Sequence, residues 1–184
     1  MGFPIKNGDD GTTAVVNQNR RVLVSSIIEE EAEHSTDLGD SYNLNTGLIA
    51  LTGTSDSAIF YMKNNEDQLF VVTAIAIGLF TRSATVTDAA LATLVRNPTG
   101  GDITSGPSNV DMNQNRNFGS TKTLTADVYK GADGDSMTGG DNIAQFLIPE
   151  GRSFFTIDWE LPKGSSLGVK LDLNTSGGAN VYCA

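Results

Sequence analysis

The amino-acid sequence predicts an all-β protein, an antiparallel β-sandwich that can take the form of a jelly roll and that carries an N-terminal arm. Three observations predict this class. Short apolar runs alternate with polar residues at a period of two, and turn residues interrupt these runs at intervals typical of hairpins. The composition, with 39% hydrophobic residues, 18% charged residues and 20 glycines, is typical of a strand-and-turn protein.

The clearest strands lie in the C-terminal third. Apolar and polar residues alternate over 155–161, and again over 167–173 after a break at 162–166. We predict that the two runs form an antiparallel hairpin with one face in the core and the other in solvent. The residues predicted to face the core are Phe155, Ile157, Trp159, Leu161, Leu167, Val169, Leu171 and Leu173.

Further strands are expected along the rest of the chain, connected as a meander or Greek key. Their ranges are 22–28, 42–51, 58–63, 69–80, 91–95, 124–128 and 146–148. Residues 99–117 are rich in Gly, Asp, Ser and Asn and are expected to form a long surface loop. The small residues Ala74, Ala76 and Gly78 allow close approach, either within the sandwich or by another subunit.

The length of 184 residues indicates one domain with an arm, because a domain takes roughly 100 to 200 residues. We assign residues 1–20 to the arm and residues 21–184 to the sandwich. The longest apolar stretch, 69–80, is well short of the roughly 20 residues that a membrane-spanning helix needs. The first residues lack the features of a signal peptide, so synthesis in a cytoplasm is expected.

The charge balance argues against polyanionic partners. Twelve Lys and Arg stand against 22 Asp and Glu, which gives a net charge of −10. A strongly acidic chain is repelled by phosphate backbones and by anionic lipid. We therefore expect neither a nucleic-acid partner nor a membrane partner.

Reactive side chains are scarce, so no enzymatic activity and no cofactor are predicted. His34 is the single histidine and Cys183 the single cysteine, which leaves no zinc cluster and only His34 for a Ser-His-Asp triad or a Cys-His dyad. Asp158 and Glu160 lie two apart on one strand, as a glycosidase pair can, but such pairs on a solvent-facing sheet usually serve solubility.

One acidic loop is a weak calcium candidate. Asp133, Asp135 and Asp141 lie in a Gly-rich stretch that supplies oxygen ligands. The stretch lacks the spacing and the terminal glutamate of an EF-hand. An ordinary acidic turn is the alternative.

Several segments resemble a group of small β-rich virion proteins of tailed bacteriophages. The segments are 33–43 (Glu-His-Ser-Thr-Asp-Leu-Gly-Asp-Ser-Tyr-Asn), 97–100 (Asn-Pro-Thr-Gly), 115–120 (Asn-Arg-Asn-Phe-Gly-Ser), 129–131 (Tyr-Lys-Gly) and 161–166 (Leu-Pro-Lys-Gly-Ser-Ser). They run in order through most of the chain, and none is a catalytic motif. The resemblance implies a structural role in a virion.

Within that group, the resemblance implies a capsid decoration (cement) protein on the capsid exterior. It would form a homotrimer and bind the major capsid protein. Positive charge is concentrated in the arm at Lys6 and Arg20 and directly after it at Arg21, and the loop 99–117 carries Arg116. These four residues are the predicted capsid contacts.

The sequence is also compatible with other functions. A tail, fibre-tip or baseplate β-sandwich would recognise host glycan through the loops 99–117 and 131–142, although Trp159 on the core face leaves few aromatic rings for sugar stacking. A head-completion subunit, or a cellular β-sandwich unrelated to phages, would also fit the composition.

Overall fold

A computed structural model describes residues 35–52, 56–81, 89–106, 108–110, 114–173 and 178–184, with only the backbone of Thr81. The predicted arm 1–20 and the predicted strand 22–28 lie outside these residues, as do Lys6, Arg20, Arg21 and His34.

The described part of the chain consists almost entirely of strands. They are β1 (Ile49–Leu51), β2 (Ser57–Asn64), β3 (Phe70–Thr81), β4 (Ala90–Arg96), β5 (Ala126–Lys130), β6 (Asp141–Ile148), β7 (Gly151–Leu161), β8 (Ser166–Asp172) and β9 (Ala179–Cys183). A short 3-10 helix, Asp102–Ser105, lies between β4 and β5.

The strands form two antiparallel sheets, one in the order β1-β9-β3-β7 and the other in the order β5-β2-β8-β4-β6. Apart from β5, the pairing is nested: β1 pairs with β9, β2 with β8, β3 with β7 and β4 with β6. One long hairpin, turning between β4 and β6 and rolled across two sheets, produces this pattern. The fold is therefore the predicted β-sandwich, and its connectivity is that of a jelly roll.

The core lies between the two sheets and takes side chains from both. Its largest fully buried members include Ile59, Ile77, Leu79, Leu94, Ile148, Val169, Leu171 and Val181. Each side chain of this size contributes about 1.5–3 kcal/mol when it leaves water, so the packed layer between the sheets is the main source of stability.

The predicted hairpin 155–161/167–173 is wrong, although the predicted core-facing residues are correct. Strand β7 pairs with β3, whereas β8 lies between β2 and β4 in the other sheet. The side chains of β7 alternate between half-buried and exposed, and Leu167, Val169 and Leu171 of β8 are buried. The alternation of apolar and polar residues therefore predicted which side chains face the core. It did not predict which strands pair, because the strands of both sheets face the same core and show the same alternation.

The outer face of β8 is also covered, contrary to the prediction of a solvent-facing side. Ile103 and Met137, which lie outside the strands, pack there against the strand residues Ala58, Tyr61 and Val95 and form a second apolar cluster, with Tyr129 against it. The predicted surface loop 99–117 supplies Ile103. This residue belongs to the 3-10 helix, and its side chain is completely buried.

Three strand predictions were accurate. Strands β2, β3 and β4 match the predicted ranges 58–63, 69–80 and 91–95 within one residue at each end. The predicted strand 124–128 begins two residues before β5, and the predicted strand 146–148 is only the end of β6. Of the predicted strand 42–51, only Ile49–Leu51 is regular strand, while Tyr42 forms an isolated bridge with Asn115.

Candidate binding surfaces

The four-stranded sheet exposes aromatic rings on its outer face. Phe154 is 61% exposed and lies opposite Ala76, and Phe80 is 44% exposed. The Phe80 ring stacks on Tyr182 with ring centroids 6.0 Å apart. We call this surface, formed by Phe80, Phe154 and Tyr182 with Ala76 and Gly78, the aromatic face.

A small residue in β3 makes room for one of these rings. Tyr182 lies directly opposite Gly78 in the register of β9 and β3, and a Cβ added at Gly78 would run into the Tyr182 ring. The ring therefore lies over the glycine backbone. The close approach predicted for Ala74, Ala76 and Gly78 is thus used at Gly78 by a ring of the same chain.

Charged side chains border the aromatic face along β7. Arg152 lies opposite Gly78 and is exposed, and Glu160 lies opposite Val71, which is 44% exposed. The suggested glycosidase pair Asp158 and Glu160 is exposed on this edge strand. An apolar centre with a polar border is typical of a protein contact surface.

A groove of about 1190 Å³ lies where β9 ends, and we call it the end groove. Its walls come from the segment 35–45 and from the first half of β3, and Arg116 lines it. Arg152 and Phe154 of β7 also line it, so the end groove adjoins the aromatic face. The Arg116 N–H donates to the Ser41 carbonyl at 2.8 Å, and its guanidinium donates to the Ser41 hydroxyl at 3.4 Å. The predicted contact residue Arg116 is therefore exposed at the rim of a groove.

The three calcium candidates have separate partners. The Asp133 carboxylate accepts bonds from the Thr52 N–H at 2.9 Å and the Thr52 hydroxyl at 2.7 Å, which lower the pKa of Asp133. Asp135 accepts a bond from the Ala132 N–H at 2.7 Å, and Asp141 pairs with Arg96 at 2.6 Å. Within the described residues, no group of three His, Cys, Asp or Glu side chains is arranged to hold a metal ion.

The thiol of Cys183 is enclosed in the core. Burial raises its pKa to about 12, so the nucleophilic thiolate is scarce at neutral pH. Trp159 also packs against the core, as predicted.

Sequence reasoning missed the aromatic face, although one signal pointed to it. Phe154 and Phe155 are adjacent in a strand, so their side chains must point to opposite faces. The Phe155 ring stacks on the Phe146 ring beside the core, with the ring centroids 4.2 Å apart. Phe154 therefore points to the outer face of the sheet, where it is exposed.

Comparisons with family models, with curated proteins and with solved structures found no match. Among the described residues, no helix is long and apolar enough to cross a membrane.

Proposed function

We propose that the chain is a non-enzymatic virion protein that decorates the outside of a tailed-phage capsid and attaches through its aromatic face. The observation that carries this proposal is the exposure of Phe154 and Phe80 on the outer face of the four-stranded sheet. Exposed aromatic rings of this size cost free energy in water, and their burial against a partner recovers it.

Three further properties support decoration. The jelly roll is an architecture of viral capsid domains, although a fold alone does not define a function. The net charge of −10 suits a protein that sits away from packaged DNA. The sequence segments similar to phage virion proteins point to the same class.

In this proposal the contacts are shared between two regions. The aromatic face supplies the apolar centre, with Arg152 at its border. The predicted contacts Arg116, Lys6, Arg20 and Arg21 add charge-dependent interactions with the major capsid protein. The capsid would hold the protein as a homotrimer.

A binding assay with capsids that lack the protein tests the proposal. We expect the double variant Phe80→Ser/Phe154→Ser to lose at least tenfold in affinity in co-sedimentation, because two anchoring rings are removed. The matched control is Leu147→Ser, which removes another apolar side chain, 70% exposed, from β6 of the other sheet. Equal binding by the wild type and the double variant would overturn the proposal.

A second candidate, recognition of host glycan, is favoured by the same aromatic face. Sugar rings stack on exposed aromatic rings, and jelly rolls include lectin domains. A glycan array distinguishes the two. Retention of a glycan by the wild type and not by the double variant, without capsid binding by either, would support the glycan function instead.

A further inference from the structure

Two adjoining turns each expose a large apolar side chain. The turn 117–120 carries Phe118, which is 100% exposed, and the turn 36–39 carries Leu38, which is 53% exposed. A main-chain hydrogen bond of 3.0 Å closes each turn. An apolar side chain held in water costs free energy, and its burial against a partner recovers it. The two side chains therefore mark a candidate contact surface.

Side-chain hydrogen bonds fix the conformation of the turn 117–120. The Asn115 side-chain oxygen accepts a bond from the Asn117 N–H at 2.9 Å. The Asn117 side-chain oxygen accepts one from the Gly119 N–H at 3.0 Å. These bonds hold the backbone on both sides of Phe118 while its ring extends into solvent. Because an ordered loop loses little conformational entropy when it binds, Phe118 is well placed to anchor a contact.

Further hydrogen bonds tie the two turns together. The Asn115 amide donates to the Gly39 carbonyl at 2.7 Å. The Asn117 amide donates to the Asp37 carbonyl at 3.1 Å. A Cβ added at Gly39 would collide with the Ser120 side chain, so the turns are in direct contact. We call this continuous surface the turn surface, with 36–40 as its first half and 115–122 as its second half.

Opposite charges occupy the two halves of the turn surface. The first half carries Asp37 and Asp40, the second half carries Arg116 and Lys122, and neither half holds a charge of the other sign. All four residues are exposed, and the Lys122 ammonium pairs with the Asp40 carboxylate at 2.8 Å where the halves meet. The four charges cancel, whereas the whole chain has a net charge of −10. The turn surface is therefore neutral, and its acidic half is complementary to its basic half.

We propose that the turn surface joins copies of this chain, with Phe118 packed against the turn surface of the neighbour and the acidic half facing the neighbour's basic half. A net charge of −10 makes copies repel each other, and the repulsion is weakest where a neutral, self-complementary surface meets its like. This charge pattern is satisfied in a two-fold dimer and in a closed ring. The homotrimer proposed above is the ring of three, so the copy number rests on the proposed function, whereas the contact itself does not.

Analytical ultracentrifugation of the full chain, without capsids and over a range of concentrations, tests the contact. We expect the wild type to associate and Phe118→Ser to associate at least tenfold more weakly, because the anchoring ring is lost. Leu147→Ser, at another exposed apolar position, is the matched control and should associate like the wild type. A wild type that remains a single chain at every concentration, or equal association by Phe118→Ser, would overturn the proposal. Capsid binding through the aromatic face is measured separately, so either proposal can fail alone.

An exchange of charges between the two halves gives a second test. We expect Asp37→Lys/Asp40→Lys and Arg116→Glu/Lys122→Glu each to weaken self-association at least tenfold, because like charges then face each other across the contact. The variant with all four substitutions keeps the net charge of −10 and again has halves of opposite charge, so it should associate like the wild type. Association of the fourfold variant no stronger than that of the double variants would contradict the proposal. If the fourfold variant fails to fold, the comparison of the wild type with Phe118→Ser decides.

Discussion

At the residue scale, Asn64 shows how one buried polar side chain can fix a turn. Asn64 is fully buried at the end of β2, and its amide donates to the Gln68 carbonyl at 2.7 Å and the Leu161 carbonyl at 2.8 Å. Its side-chain oxygen accepts a bond from the Glu66 N–H at 2.8 Å. The sequence predicts a turn at 64–67, but turn chemistry does not reveal that the asparagine also ties β2 to the end of β7.

We expect Asn64→Ala to lower the free energy of unfolding by about 1–3 kcal/mol, because it leaves buried backbone groups without partners. Urea unfolding followed by circular dichroism measures the change. The exposed neighbour Asn65 provides the control, since Asn65→Ala should stay within about 0.5 kcal/mol of the wild type. Similar losses for both variants would show that Asn64 has no special role.

Cys183 provides a prediction about reactivity. Since burial raises the pKa of the Cys183 thiol to about 12, the native protein should resist iodoacetamide at pH 8, and guanidinium should make the thiol reactive. Mass spectrometry after timed labelling measures this. Rapid labelling of the native protein would show that the end of β9 opens readily.

At the element scale, local patterning predicted strands and faces, while pairing and loop structure followed from long-range geometry. The alternation in 155–161 and 167–173 identified core residues correctly. The partners of β7 and β8 were mispredicted because a nested jelly-roll pairing joins strands that are distant in sequence. The burial of Ile103 was missed because its flanking residues are polar, and only the outer face of the five-stranded sheet provides its cover.

The buried 3-10 helix leads to a prediction about stability. We expect Ile103→Ala to cost about 2–5 kcal/mol, because it empties the centre of the second apolar cluster. Leu147→Ala, at a position that is 70% exposed, is the control and should stay within about 0.5 kcal/mol. A loss of unfolding free energy below about 1 kcal/mol in urea would be small for a core truncation. It would mean that the second apolar cluster is not part of the cooperative fold.

The same loop layer should loosen in acid. The Asp102 carboxylate accepts bonds from the Ser136 hydroxyl at 2.8 Å and the Ser136 N–H at 3.1 Å, which lower the pKa of Asp102. A lowered pKa stabilises the fold above the ordinary value of about 3.9, and the contribution is lost as the pH falls through the lowered value. Carboxyl carbon titration by NMR should place the Asp102 midpoint lower in the native protein than in urea. Equal midpoints would contradict the bonding to Ser136.

At the scale of the whole molecule, the fold was predictable and the aromatic face was not. Period-two alternation and turn residues suffice for a β-sandwich, because each sheet has one face in the core. A binding face differs from other outer faces only in which residues neighbour each other across strands. Phe80 and Tyr182 meet through β3–β9 pairing, and no local pattern encodes that pairing.

The expected trimer has a simple test. Size-exclusion chromatography with light scattering should give three times the chain mass of 19.4 kDa, with no change when a calcium chelator is added. A measured mass of one chain would mean that the trimer forms only on the capsid lattice or does not form. Loss of mass with chelator would revive the calcium hypothesis for Asp133, Asp135 and Asp141.

The most direct test of the central claim is the affinity for capsids that lack the protein, measured by co-sedimentation for the wild type, Phe80→Ser/Phe154→Ser and Leu147→Ser. We expect saturable binding by the wild type and by Leu147→Ser. We expect the double variant to lose at least tenfold in affinity, while its circular dichroism spectrum shows an unchanged fold. Equal binding by all three proteins would show that the aromatic face is not the attachment surface. Absence of binding by the wild type would contradict capsid decoration itself.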